Sequence, residues 1–231
     1  ILTGTEAGTT YDLPIFGKMA FENVLLNPRS SDKTIAALTS DGYGNQVFVY
    51  VGDKSTSGST IEKAGLTNGK LYGVKVTGLT TESTGSIPTA ETAFTLVEIT
   101  NPTTLTAAQL QSTATGLGVT TFLRPEDASW NPNNPNELFI ATTASMTTNS
   151  RLWRLRFNNL DNPTGGTITA VLEGTEGQKM FDNLTVDKNG DVLLQEDPGN
   201  NTHIAKMWKY NVANDSLFEL ARFKSDIFVS G

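Results

Sequence analysis

Three stretches of this chain each open on an acid: Glu22 in Phe21-Glu22-Asn23, Glu126 in Pro125-Glu126-Asp127 and Asp182 in Phe181-Asp182-Asn183. Behind each acid come an apolar run, a tight turn rich in Asn, Asp, Pro or Gly, and a second apolar run. Asp41 follows the second run of the first copy, and Glu196-Asp197 follow that of the third. Repeats that close around an axis bring equivalent positions together, so these carboxylates would gather in one place. Gathered carboxylates repel one another and take up protons unless a cation offsets their charge. Oxygen ligands of this kind suit calcium or another hard metal. The same residue types also have a local use, since Asp and Asn bond backbone N–H groups at turns and strand ends. For Glu22, Asp127 and Asp182 the spacing leaves both uses open.

Composition narrows the metal chemistry. The chain has 231 residues, no cysteine and one histidine, His203, which excludes thiolate sites, disulfides and polyhistidine zinc. Its 17 basic and 24 acidic side chains give a net charge of -7, the wrong sign for nucleic acid or an anionic membrane as main partner. No apolar run reaches the roughly 20 residues of a membrane helix, so no transmembrane segment is expected. The chain starts at Ile1 and reads as a piece processed or excised from a longer one.

The elements that must position the acids are strands. Segments 46–51, 70–76, 93–99, 138–142, 152–157, 167–172, 191–195, 207–210 and 217–223 are short, rich in β-branched and aromatic residues, and separated by Gly, Asn, Asp, Pro and Thr. Helix signals are confined to 106–113, with Thr106 as N-cap, and to one turn at 60–64. Each acid-first hairpin is followed by a third strand, and three or four antiparallel strands per repeat make a propeller blade. A sandwich would supply the strands but no reason for an acid at the same place in each unit. The expectation is an all-β fold: one β-propeller domain over residues 1–231, with several four-stranded antiparallel blades in an incomplete ring. The first two acids lie 104 residues apart and the last two 56. A less obvious unit is therefore expected between the first two, for roughly four to five blades in all. Residues 77–91 read as a mobile polar insertion.

Other residues are single candidates. Arg124, beside Glu126, could take an anion such as phosphate bidentately or pair with a neighbouring acid. Lys54 is a second candidate cation, and His203 is a candidate acid–base group. Trp130, Trp153 and Trp208 fall in strands and read as core.

Several runs together resemble the PhoX-type alkaline phosphatases and their phytase-like relatives: 17–23, 49–54, 62–76, Arg124-Pro125-Glu126-Asp127, and Phe181-Asp182-Asn183-Leu184 through Gln195-Glu196-Asp197. Proteins of that family are exported bacterial β-propellers that hydrolyse phosphate esters with iron and calcium near the axis. The resemblance implies a secreted, periplasmic or extracellular protein acting on a small phosphorylated substrate. It implies Glu22 and Glu126 as bridging metal ligands, Glu196 as a calcium ligand with Asp197 beside it, and Glu6 as the last acid of the family's Cys-Glu-Glu step. Arg124 and Lys54 would offset charge on the transferred group. Gly4 stands where that step has its cysteine, so iron lacks its thiolate here and calcium is the metal the resemblance implies more directly. Two functions stay open: a metal-dependent phosphomonoesterase using calcium with or without a second metal, or a catalytically silent, calcium-stabilised propeller acting as scaffold or binding module, completed by the remainder of its own ring.

Overall fold

The structure, a computed structural model, describes residues 1–42, 44–82 and 87–228. Strands β1 (Phe21–Leu26), β2 (Lys33–Ser40), β3 (Val47–Asp53) and β4 (Lys70–Val76) form an antiparallel meander. A further strand, β5 (Thr92–Ile99), follows. A second meander is made of β6 (Pro125–Trp130), β7 (Glu137–Thr142), β8 (Arg151–Phe157) and β9 (Gly165–Leu172), and a third of β10 (Phe181–Val186), β11 (Val192–Glu196), β12 (Lys206–Asn211) and β13 (Ser216–Arg222). These are three propeller blades. Their first strands, β1, β6 and β10, lie side by side with β6 in the middle.

The packing follows from the two-residue period of a strand. In β7 every residue is buried, because the strand has a blade on each face. Leu138 and Ile140 pack with Trp130, Trp153 and Leu155 against Ile35, Ala37, Val47 and Val49 of the first blade. The alternate residues Phe139 and Ala141 pack against Phe181, Val192, Leu194, Trp208 and Tyr210 of the third. All three tryptophans are core, as the sequence suggests.

The long interval between the first two acids holds no hidden blade, which corrects the expected count among the described residues to three. Its chain is spent on β5, which pairs with both β4 and β9 and joins two blades into a nine-stranded sheet. It also supplies α2 (Ala107–Gly116), which follows the short α1 (Thr60–Lys63) in the chain. Helix α2 starts at Thr106, whose hydroxyl accepts from Gln109 N–H (3.3 Å) while the Gln109 side chain accepts from Thr106 N–H (2.9 Å), a reciprocal cap that satisfies two free donors. Leu110 and Ala114 then cover the outer flank of the first blade with Phe16, against Ala36, Leu38 and Tyr50.

The insertion at 77–91 is anchored at its start. Leu79 and Glu82 are buried, and Glu82 N–H donates to Thr121 C=O (2.9 Å); residues 83–86 lie outside the described residues. A buried carboxylate with protein partners anchors the part of the insertion that ends at Glu82.

Candidate metal centre

Each inner strand breaks register at its acid: between Phe21 and Asn23 in β1, Pro125 and Ala128 in β6, and Phe181 and Leu184 in β10. Such a bulge inserts a residue and re-aims its side chain. One backbone bond closes each bulge, from Asp41 N–H to Ala20 C=O (3.1 Å), Thr143 N–H to Arg124 C=O (2.9 Å) and Asp197 N–H to Met180 C=O (2.9 Å). These bonds establish the repeat at atomic level. Glu22, Glu126 and Asp182 are equivalent, and so are Asp41, Thr143 and Asp197.

Glu22, Asp41 and Glu126 come together, each offering a carboxylate oxygen within 4.8 Å of the others. Glu22 is exposed, Asp41 half-buried and Glu126 buried. Arg124, at positive φ (61°), lays its guanidinium across two of them. Its Nε and Nη2 reach Asp41 Oδ2 at 3.1 and 2.9 Å, and Nη2 reaches Glu126 Oε1 at 2.7 Å. Those bonds, the one to Asp41 first, raise the affinity of the guanidinium for its proton. Burial, then the neighbouring Asp41 and Glu22 charges, push the Glu126 carboxyl up to about 8 although Arg124 pulls it down. Asp182 is raised as well, by burial and by Asp197 and Asp127. A second acidic pair therefore sits in the third blade.

The donor set fits a hard cation. Oxygens bound to one calcium at about 2.3–2.6 Å stand no more than about 5 Å apart, and the three carboxylates meet that limit without rearranging. Burial first, then the Asp41 and Glu22 charges, disfavour an ionised Glu126, and a cation would offset the charge part of that cost.

Asp127 takes the local use. One oxygen accepts from the Asn23 side-chain amide and from Ala128 N–H (2.7 Å), the other from Leu184 N–H (2.9 Å). It thereby ties together all three inner strands. Thr39 adds a tie from the first blade to the second, its hydroxyl donating to Glu126 C=O (2.5 Å).

The remaining candidates lie elsewhere. Glu196 is fully buried, but both its oxygens are taken: Oε1 by Lys179 N–H and Trp208 Nε1–H, Oε2 by Lys206 N–H and His203 Nε2, at 2.7–3.0 Å. His203 is thus a partner of Glu196. Asp197 is exposed, near Asp182. Lys54 follows the far end of β3, where Asp53 pairs with Lys33, while Glu22 sits at the opposite end of the blade beside Ser40. Glu6 accepts from Thr60 N–H (3.1 Å) at the start of α1, and α1 leads to Ala64, whose carbonyl accepts the hydroxyl of Thr34 at that same far end. Neither Lys54 nor Glu6 reaches the cluster, because strand direction separates them from it. Asp41, by contrast, belongs to it. Its signal was the acid after the second strand, shared with Asp197. Glu82 carried no such signal, since it lies outside the repeat.

No family model and no curated protein matches the chain. Among solved structures it is similar to one described as Pseudomonas fluorescens PhoX in complex with vanadate, a transition state analogue. The TM-score is 0.66 with 13% identity, over 89% of this chain and 45% of that one. The likeness establishes the β-propeller fold, and this chain spans under half the length of that structure. No helix among the described residues is long and apolar enough to cross a membrane.

Proposed function

We propose that this propeller sector binds a hard divalent cation, calcium first, on Glu22, Asp41 and Glu126, and that with it Arg124 receives the phosphoryl group of a small phosphate ester for hydrolysis. The observation that carries the reading is the meeting of three carboxylate oxygens within 4.8 Å at the guanidinium of Arg124. The likeness to a phosphatase-type propeller with bound vanadate supports it. A bound cation would supply charge stabilisation for the phosphoryl oxygens and activate the attacking oxygen. Arg124 would turn part of its donor fork from Asp41 to the phosphoryl group, and Asp41 would be freed to face the cation beside Glu22. In the net reaction water adds to phosphorus, the ester P–O bond breaks, and the alcohol leaves with a proton.

A specific observation favours a second, non-catalytic reading: Glu6 lies at the other end of the first blade, next to a Gly4 that offers no ligand. In this case the same acids stabilise a binding module with calcium and no turnover follows. Hydrolysis of p-nitrophenyl phosphate with calcium, with iron and after chelation separates the two. No turnover under any metal removes the enzyme. A melting temperature untouched by chelation and by added calcium removes the cation site as well.

A further inference from the structure

The loop after β4 sends one carboxylate into the second blade, and the geometry points to Glu82 as the positioning residue that holds Arg124 in its working conformation. This inference rests on the reading of the centre as a cation and phosphoryl site. Glu82 is 1% exposed. Its Oε2 accepts from Leu123 N–H at 2.6 Å, and its Oε1 accepts from Thr142 Oγ1 (3.0 Å) and Arg151 Nη1 (2.7 Å). Leu123 immediately precedes Arg124. Its carbonyl accepts from Ala144 N–H (2.9 Å), and the Arg124 carbonyl accepts from Thr143 N–H (2.9 Å). The backbone entering the bulge is thus gripped on both sides, by Glu82 on the amide side and by the 143–144 turn on the carbonyl side.

That grip is needed because Arg124 has a side chain at positive φ, a conformation L-residues adopt at a cost unless the surroundings impose it. Released, the residue would relax to negative φ and swing its guanidinium away from Asp41 and Glu126. Proline at position 125 raises that cost, since it biases the residue before it toward extended backbone at negative φ. Glu82 itself is held by Arg151, 11% exposed at its side chain, and by Thr142, which pairs with Pro125 across the bulge. The bonds of this carboxylate go to Leu123, Thr142 and Arg151 and to none of the three acids of the centre, so its effect on the centre runs through the backbone.

A paired substitution tests this. Glu82→Gln leaves one acceptor oxygen for two strong donors, Leu123 N–H and Arg151, and the cationic guanidinium takes it. Adding Arg151→Met removes the competitor and returns the amide oxygen to Leu123. With calcium present, orthovanadate titrated into Glu82→Gln should bind about tenfold more weakly than into the unsubstituted chain, and the double variant should recover to within about threefold. A merely structural role predicts the reverse order, because the double variant has lost one more buried partner. The Arg124 Nε–H resonance gives a ligand-free readout: slow exchange in the unsubstituted chain, fast in Glu82→Gln, slow again in the double variant. If Glu82→Gln leaves that exchange and the vanadate affinity unchanged, or if the double variant is no better than the single, the inference is overturned. Arg124→Ala run alongside identifies the other failure. If it binds vanadate as well as the unsubstituted chain, the phosphoryl reading falls, while the Nε–H exchange still decides the role of Glu82.

Discussion

At the centre, what distinguishes one acid from another is whether its oxygens already have partners. Glu196 and Glu126 are both buried glutamates, yet Glu196 receives two donors on each oxygen, whereas Glu126 has Arg124 and two like-charged neighbours. A carboxylate whose lone pairs are filled has nothing to offer a cation without breaking protein bonds. Glu22→Gln or Asp41→Asn should therefore weaken calcium binding about tenfold or more, measured by titration calorimetry. Glu196→Gln should leave that affinity alone but lower stability by about 1–3 kcal/mol, because its amide group opposes donors with a donor. Equal loss of calcium affinity in all three variants would place Glu196 back among the ligands. Residue types and spacing place Glu22, Asp41 and Glu126 among several acids gathered at one end of the repeats, and the family resemblance adds Glu22 and Glu126 as ligands. Neither can show that Glu196 is satisfied, because its donors come from residues 179, 203, 206 and 208, fixed by folding and by no local pattern.

The elements explain why the strand pattern read well and the blade count did not. Strands such as Lys70–Val76 announce themselves through β-branched and aromatic alternation, and α2 through its Thr106 cap. The association of those strands depends on long-range pairing. Nothing in 92–99 marks it as a strand that would bridge β4 to β9 instead of opening a new blade. Likewise the composition of 77–91 hides the one acid that folds inward. Helix α2 tests this arrangement, since it closes the flank of the first blade with only Leu110 and Ala114 buried. Leu110→Ala should cost about 2–5 kcal/mol in chemical denaturation, and a loss under about 1 kcal/mol would mean that the helix is not a structural cover. Between blades the ties are polar. Asp127→Ala would strand the Leu184 N–H and cut the bond to Asn23, with an expected loss of about 1–3 kcal/mol, whereas Asp127→Asn, keeping one acceptor, should lose less.

For the molecule as a whole, the acidic centre sets how stability responds to pH, and the sign is opposite to the common carboxylate case. Glu126 titrates near about 8 in the folded chain, against 4.5 for the unperturbed group. Between those values the folded chain holds a proton that the unfolded chain has released, so folding stability must fall as pH rises through that window and level off above it. Asp182, also raised, pushes in the same direction. Groups held low, such as Glu176 with its backbone N–H partners, act only at the acid end, where stability is lost as pH drops through their own folded values. In chelator, the melting temperature should therefore decline from about pH 5 to about pH 8, and Glu126→Gln should flatten much of that decline. Saturating calcium should reverse the trend, because binding requires the Glu126 proton to leave and so tightens as pH rises. A metal-free melting temperature that climbs across this window would mean Glu126 is already ionised at neutral pH. The three acids would then share their site without the charge conflict that a cation is expected to resolve.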